Sequence, residues 1–273
     1  MNRFLLTMQY DESLMLPFFL RHYSQYFRAE NIFIIDHGSR VNLIPEGFNR
    51  IYVPRDRPFS EVARLDLVQK ITQGLLNYYD FGIYADCDEL IALQGVNFTS
   101  LADEVTYVAG FEVFLNKSNQ IIGALNPHEC KPLIFKKMPN WSYGFHSSNA
   151  KPSILNIPMA HIRYFDRDLS RDRLLERRMV HMNMDVVEAS RGIAVHWGDG
   201  DKDLNDFYSY IDSHQANISV AKPFSGIEWN KVFNISTSKG LYVQSEPQFH
   251  AKGDYKIFDG EFYNLTKFFP ALT

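Results

Sequence analysis

The chain reads as an α/β protein built on a mixed, mainly parallel central sheet, and three observations predict it. Short apolar runs of strand length occur at residues 3–8, 31–35 and 81–85. Segments with apolar residues at helical spacing separate them, and strand–helix alternation is the pattern of a parallel sheet. After residue ~100 the helical segments give way to strand-like pieces, which extend the same sheet.

Taken in order, residues 3–8 suit a buried strand, and Asp11 to Ser13 offer capping side chains for a helix that carries Leu16, Leu20, Tyr23 and Phe27. Pro17 fits the first turn of that helix, where a missing donor costs little. Asn31-Ile32-Phe33-Ile34-Ile35 is a second strand, ending at Asp36-His37-Gly38-Ser39. Beyond Ile51-Tyr52-Val53, Ser60 caps a helix that turns Leu65, Val68 and Leu75 to one side. The strand Phe81-Gly82-Ile83-Tyr84-Ala85 then runs straight into Asp86-Cys87-Asp88-Glu89, which places acids at a strand's carboxyl end, where open α/β sheets bind ligands. Residues 108–115, 121–124, 133–136 and 154–157 read as further strands. Ser170 is a candidate cap for a long helix with Leu175, Met179, Met182 and Val186 on one stripe. No repeat or linker divides the chain, so one domain over residues 1–222 with an elaboration over 223–273 is expected.

Composition narrows the function classes. The net charge of −4 and pI near 6.1 argue against general nucleic-acid or anionic-membrane binding, which need a basic field. No apolar run reaches the ~18 residues of a membrane span, and the polar start does not read as a signal peptide, so a cytoplasmic protein with at most peripheral membrane association is expected. Cys87 and Cys130 lack metal-type spacing, and a disulfide at Cys87 would obstruct the acids beside it, which suits a reducing compartment.

Asp86, Asp88 and Glu89 are three carboxylates within four positions, and without a cation they repel one another. A divalent ion removes that cost, and oxygen ligands suit Mg²⁺ or Mn²⁺. In extended backbone, residues two apart share a side, so Asp86 and Asp88 can face one site while Glu89 supports them. A solvated acidic turn is the alternative.

The order of an N-terminal strand, Asp11-Glu12 before an apolar helix, Ile34-Ile35-Asp36-His37-Gly38-Ser39 and then Tyr84-Ala85-Asp86-Cys87-Asp88-Glu89-Leu90-Ile91 resembles glycosyltransferases related to family 2 and family 92. Gly144-Phe145-His146 and Ala160-His161-Ile162-Arg163-Tyr164 extend the likeness over about residues 3–180. The resemblance implies a three-layer GT-A-like fold and metal-dependent transfer of a sugar from a nucleotide-sugar donor, UDP-linked, to a glycan or other hydroxyl acceptor, with inversion, in surface polysaccharide synthesis. It implies that Asp36 contacts the donor's base or ribose and that a metal bridges Asp88 to the diphosphate, while Asp86 holds that metal, its water or the ribose. Thr7, Ser39, His146 and Lys151 complete the expected donor contacts, and His161 completes the metal set with Asp86 and Asp88. The family pattern has Asp or Asn where His37 stands. Six arginines between Arg163 and Arg178 form either a solvated helix face or a diphosphate or acceptor contact. Glu112, an acid inside an apolar strand, and Asp199, in a Gly-Asp-Gly-Asp turn, are the candidate bases.

Three rivals remain. A phosphatase using the first Asp of D-x-D as nucleophile would carry that motif on its first strand. A nucleotidyltransferase would carry a Gly-rich basic loop after the first strand, where Thr7-Met8-Gln9-Tyr10 stands. A non-catalytic nucleotide-sugar-binding module would need the pocket without the ion.

Overall fold

The apolar run that opens the chain forms β1 (Arg3–Gln9), followed by α1 (Met15–Tyr23), β2 (Ile32–Asp36), β3 (Asn49–Tyr52), α2 (Glu61–Leu75) and β4 (Phe81–Tyr84). A computed structural model of the chain describes residues 1–101, 105–150, 152–190, 200–226, 234–238, 241–245 and 261–272. The four strands β3, β2, β1 and β4 lie side by side in parallel, with Leu5 of β1 level with Ile32 on one flank and Ile83 on the other. All three are fully buried, the signature of a parallel sheet covered on both faces.

Beyond β4 come β5 (Glu89–Ile91), β6 (Val105–Leu115), β7 (Ile121–Leu125), β8 (Pro132–Phe135) and β9 (Pro152–His161). Here pairing turns antiparallel: β8 joins β4 to β6, and β7 follows β8 along the same edge of β6. The other edge of β6 takes β9 in parallel, and β9 takes β5 antiparallel. His161 is thereby opposite Glu112 on β6 and opposite Glu89 on β5, one row across three strands.

The remaining elements are α3 (Arg167–Met182), α4 (Val186–Ser190), α5 (Gly200–Ser213), α6 (Gln215–Ser219), β10 (Lys222–Pro223), the hairpin β11 (Asn234–Ser238) with β12 (Leu241–Ser245), and β13 (Phe262–Asn264). β13 pairs with β7 and β10, which completes an 11-stranded mixed sheet, so the fold is the mixed α/β type expected. Leu265, Phe269 and Leu272 pack into the same core as β1 and β4. No helix among the described residues is long and apolar enough to cross a membrane.

Three local expectations meet different outcomes. Ser60 caps α2 by accepting from the Ala63 amide. α1 has no side-chain cap: Leu14 stands at its N-cap, because the Asp11 carboxylate is taken by Arg40 and that of Glu12 by Arg173 and Arg177. α3 starts three residues before Ser170, and Asp166 accepts the Asp168 and Leu169 amides instead, while the Ser170 hydroxyl donates back to the Asp166 carbonyl. The stripe Leu175, Met179, Met182 and Val186 lies at the surface, from 50% to 81% exposed. Arg173 turns inward from α3, drawn by two buried carboxylates, as does Ser170 one turn earlier.

Candidate active site

A cleft of about 1110 Å³ opens along the carboxyl ends of β1, β2 and β4, bounded on the far side by α3. Gln9 to Glu12, His37, Asp86 to Glu89, His161 and Arg173 all line it. The acidic turn between β4 and β5 lies on its floor as a set of charge pairs.

Asp86 Oδ1 accepts from Arg64 Nη2 at 2.6 Å and from the Tyr84 hydroxyl at 2.8 Å. Burial opposes its ionisation, but Arg64 and Lys131 outweigh that and hold its carboxyl below the usual range. Asp88 Oδ2 accepts from Arg173 Nη1 at 2.6 Å and faces His161 Nε2 at 3.1 Å. Burial again opposes ionisation, and Arg173 with His161 keeps Asp88 well below a normal carboxylate. The second oxygens, Asp86 Oδ2 and Asp88 Oδ1, take no hydrogen bond from the described residues. Glu89 turns away from them, receiving Lys131 Nζ at 2.5 Å and the Asp86 amide at 3.0 Å.

His161 joins this floor to a second group of acids. Its Nδ1 lies 3.1 Å from Glu112 Oε1 and 3.7 Å from Glu129 Oε1. Burial would lower its pKa, but Glu112, Glu129 and Asp88 reverse that and push it up to about 10, so without a metal the ring is an imidazolium donating to carboxylates on both sides. Glu112 is fully buried, and its Oε1 also accepts Asn126 Nδ2 at 3.1 Å and Arg163 Nη2 at 2.6 Å. Its apolar strand therefore does not present it to solvent. Glu112 does not line the cleft, whereas Glu129 does. Glu129 can approach β6 closely because Gly110 leaves room: a methyl there would meet the Glu129 backbone at 2.3 Å.

Two parts of this floor fit a divalent ion. Two ligands at right angles on a cation with bonds near 2.1 Å sit about 3.0 Å apart, and Asp88 Oδ2 and His161 Nε2 are 3.1 Å apart. Among the described residues, ligand atoms of Glu112, Glu129 and His161 also converge within 4.8 Å, and the outer oxygens Glu112 Oε2 and Glu129 Oε2 are buried without a hydrogen bond. Lys131 Nζ does stand 3.2 Å from Glu129 Oε2, an ion pair without hydrogen-bond alignment.

Of the residues expected from sequence, Asp86, Asp88, His146 and His161 come together on the cleft, with Glu112 behind His161. His146 Nδ1 lies 2.6 Å from the His128 carbonyl, and burial with Lys131 lowers its pKa to about 3, so the ring is neutral with Nε2 as acceptor. Thr7, Asp36 and Ser39 do not line the cleft. The Thr7 hydroxyl is buried 3.5 Å from the Cys87 sulfur. Asp36 is buried behind Gln9, which donates to both Asp36 and Ser39, and its other oxygen pairs with Arg50 at 2.6 Å. Lys151 and Asp199 lie outside the described residues. Cys87 and Cys130 are both buried, and neither forms a disulfide among the described residues.

Arg64, Glu129 and Lys131 are the members of the floor that motif reading passes over, whereas Glu12 and Arg173 stand in the patterns it names without these roles. Glu12 accepts from both Arg173 and Arg177, which offsets the like-charge pair that these two form one turn apart. A usable signal existed for Lys131: Glu129-Cys130-Lys131 sets two charges around an apolar residue at the entry to a buried strand. Arg64 had another, lying three residues after Glu61 in the first turn of a capped helix.

No family model matches the chain, and no curated protein matches it. Among solved structures, mannose-1-phosphate geranyltransferase from Thermus thermophilus aligns with 43% of this chain and 42% of its own, at 11% identity and a TM-score of 0.29. The A197 protein from STIV aligns with 59% of this chain and 86% of its own, at 14% identity and a TM-score of 0.29. The chain thus spans less than half the length of the first of these proteins, and the reading of function rests on the cleft itself.

Proposed function

We propose that the protein is a metal-dependent glycosyltransferase that moves a sugar from a nucleoside-diphosphate donor, UDP-linked, to a hydroxyl acceptor such as a glycan. The observation that carries this is the cleft floor, where, among the described residues, Asp86 Oδ2 and Asp88 Oδ1 take no hydrogen bond at a sheet's carboxyl edge, and His161 Nε2 stands 3.1 Å from the other Asp88 oxygen. When bound there by Asp86, Asp88 and His161, Mn²⁺ or Mg²⁺ neutralises the charge that grows on a leaving diphosphate. Arg64 and Arg173 hold the two aspartates ionised and fixed in place, so that little reorganisation accompanies binding. Glu112 accepts the Nδ1 proton of His161 and so aims Nε2 at the cleft.

His146, neutral with Nε2 as acceptor, suits a donor or acceptor hydroxyl rather than a phosphate. Asp36, Thr7 and Ser39 support the donor pocket from behind Gln9 and Cys87, and Lys151 is a further phosphate contact. An inverting transfer needs a base for the acceptor proton. Glu112, which reaches the cleft through His161, and Asp199 are the residues proposed for it. Residues 1–222 form the catalytic unit of this proposal, with residues 223–273 as its elaboration, and surface polysaccharide synthesis is its setting.

The test is calorimetric binding of a panel of nucleotide sugars with and without Mn²⁺, together with slow donor hydrolysis. Metal-dependent binding of a nucleoside-diphosphate sugar, with release of the nucleoside diphosphate, is expected. Absence of nucleotide binding in the presence of metal, or release of pyrophosphate from a nucleoside triphosphate and sugar phosphate, overturns the assignment; the second outcome is that of a nucleotidyltransferase.

A further inference from the structure

The cleft is rich in cations, and nearly all of them are already occupied. Arg40 faces Asp11, Arg64 faces Asp86 and Glu61, Lys131 faces Glu89, Arg163 faces Glu112, and Arg173 with Arg177 faces Glu12. Among the described residues lining the cleft, Arg55 and Arg57 form no ion pair with a carboxylate, and Asp11 acts on Arg55 only through its charge at longer range. Arg57 is exposed, where water satisfies it. Arg55 is different: it is half-buried, and its Nη1 is buried without a hydrogen bond. A buried guanidinium nitrogen left without an acceptor is costly, so an anion is the missing element.

Its position is held by packing rather than by charge. The guanidinium lies 4.0 Å from the centroid of the Tyr10 ring and 5.6 Å from that of Phe59. Behind it, Gly38 has φ of +73°, and a side chain there would meet Arg55 Cβ at 2.7 Å, so the turn after β2 closes directly onto the Arg55 backbone. His37, beside Gly38, has its pKa lowered by burial and then by the charges of Arg55 and Arg64. Arg55 lines the same cleft as Asp86 and Asp88, so an anion on Arg55 shares that cleft with the aspartates.

We infer that Arg55 is an anion-binding residue that takes a phosphate oxygen of a nucleoside diphosphate, through a guanidinium pre-set between Tyr10 and Phe59. This rests on the donor proposed above and adds to it a protein group for the phosphate in the cleft that the aspartates also line. A planar fork matches phosphate oxygens in two parallel bonds, which a lysine does not reproduce.

The experiment measures binding of UDP, inorganic pyrophosphate and uridine, each with Mn²⁺, to the wild-type protein and to Arg55→Gln and Arg55→Lys, with thermal melts confirming that each variant is folded. Arg55→Gln is expected to weaken UDP and pyrophosphate about tenfold or more while leaving uridine unchanged, and Arg55→Lys is expected to recover part of the loss. Equal UDP and pyrophosphate binding by wild type and a folded Arg55→Gln or Arg55→Lys overturns the role of Arg55 and leaves the donor proposal standing. A loss of uridine equal to the loss of UDP also overturns it, since that is the mark of a distorted pocket. Wild-type protein that binds neither UDP nor pyrophosphate overturns both.

Discussion

The two halves of the sheet contribute to the cleft in different ways. In the parallel half, β1, β2 and β4 end at one edge, and the residues that follow each strand meet there because parallel strands share a carboxyl end. In the antiparallel half, the contributing groups come from the last residue of β9, the interior of β6 and the link between β7 and β8: His161, Glu112 and Glu129. Topology alone assembles the first set, whereas the second depends on register, since a slip of one residue between β6 and β9 would turn Glu112 and His161 to opposite faces. Asp88 is one contact between the halves, standing after β4 and touching His161, and Lys131 on Glu89 is another.

The largest effect expected is from cutting the fixture that holds Asp88. Arg173→Met leaves buried Asp88 without its guanidinium and Glu12 with Arg177 alone, and a loss of about 3–5 kcal/mol in chemical denaturation is expected. A loss below about 1 kcal/mol would mean that the two halves do not need this pair. Asp88→Asn keeps the shape but removes the charge, and metal-dependent donor hydrolysis should fall by ~100-fold or more. Equal hydrolysis with and without Asp88 would confine the chemistry to one half.

Proton linkage separates the halves next. The His161 pKa is raised from 6.5 to about 10 in the folded protein, so the stability it brings is fully present below about pH 6.5 and lost as pH rises through about 10. Metal-free wild-type protein should lose melting temperature across that interval, and His161→Gln should flatten the curve. Mn²⁺ displaces the same proton, so its affinity should rise over the same interval. A flat wild-type profile would show that His161 is neutral and not held by both groups of acids.

Two smaller changes test elements outside the floor. Ser60→Ala removes the α2 cap and a hydrogen bond to Glu188, and should cost about 1–2 kcal/mol with donor affinity unchanged. Met179→Gln, at a residue 62% exposed, should change stability by less than about 0.5 kcal/mol. A larger loss there would mean that the stripe on α3 is covered in solution.

The parallel half was legible in the sequence because its signals are local. Apolar runs mark the strands, Ser60 marks a helix start, and the acids directly follow the strand that presents them. The antiparallel half was legible in part: Glu112 stood out as an acid in an apolar strand and His161 as the end of one, but their row required the β6–β9 pairing. α3 was misread at its start because Asp166 and Ser170 both offer a capping oxygen, and only the backbone decides which lies outside the helix. Its apolar stripe is exposed, with Leu175, Met179 and Met182 lining the cleft, while Arg173 pairs with the buried carboxylates. Periodicity records which residues share a face and is silent about which face two buried carboxylates will claim.

Gly110 carries a consequence for how such a cleft tolerates change. It bears no charge and lies inside a buried strand, yet the missing methyl group is what lets the backbone of Glu129 rest against β6. Any side chain at that position pushes the turn outward and takes Glu129 and its neighbour Lys131 with it, loosening the grip on Glu89 and the acids before it. Charge placement on the floor is thus governed by a residue with no side chain at all, and variation there acts on the electrostatics of the cleft without altering a single ionisable group.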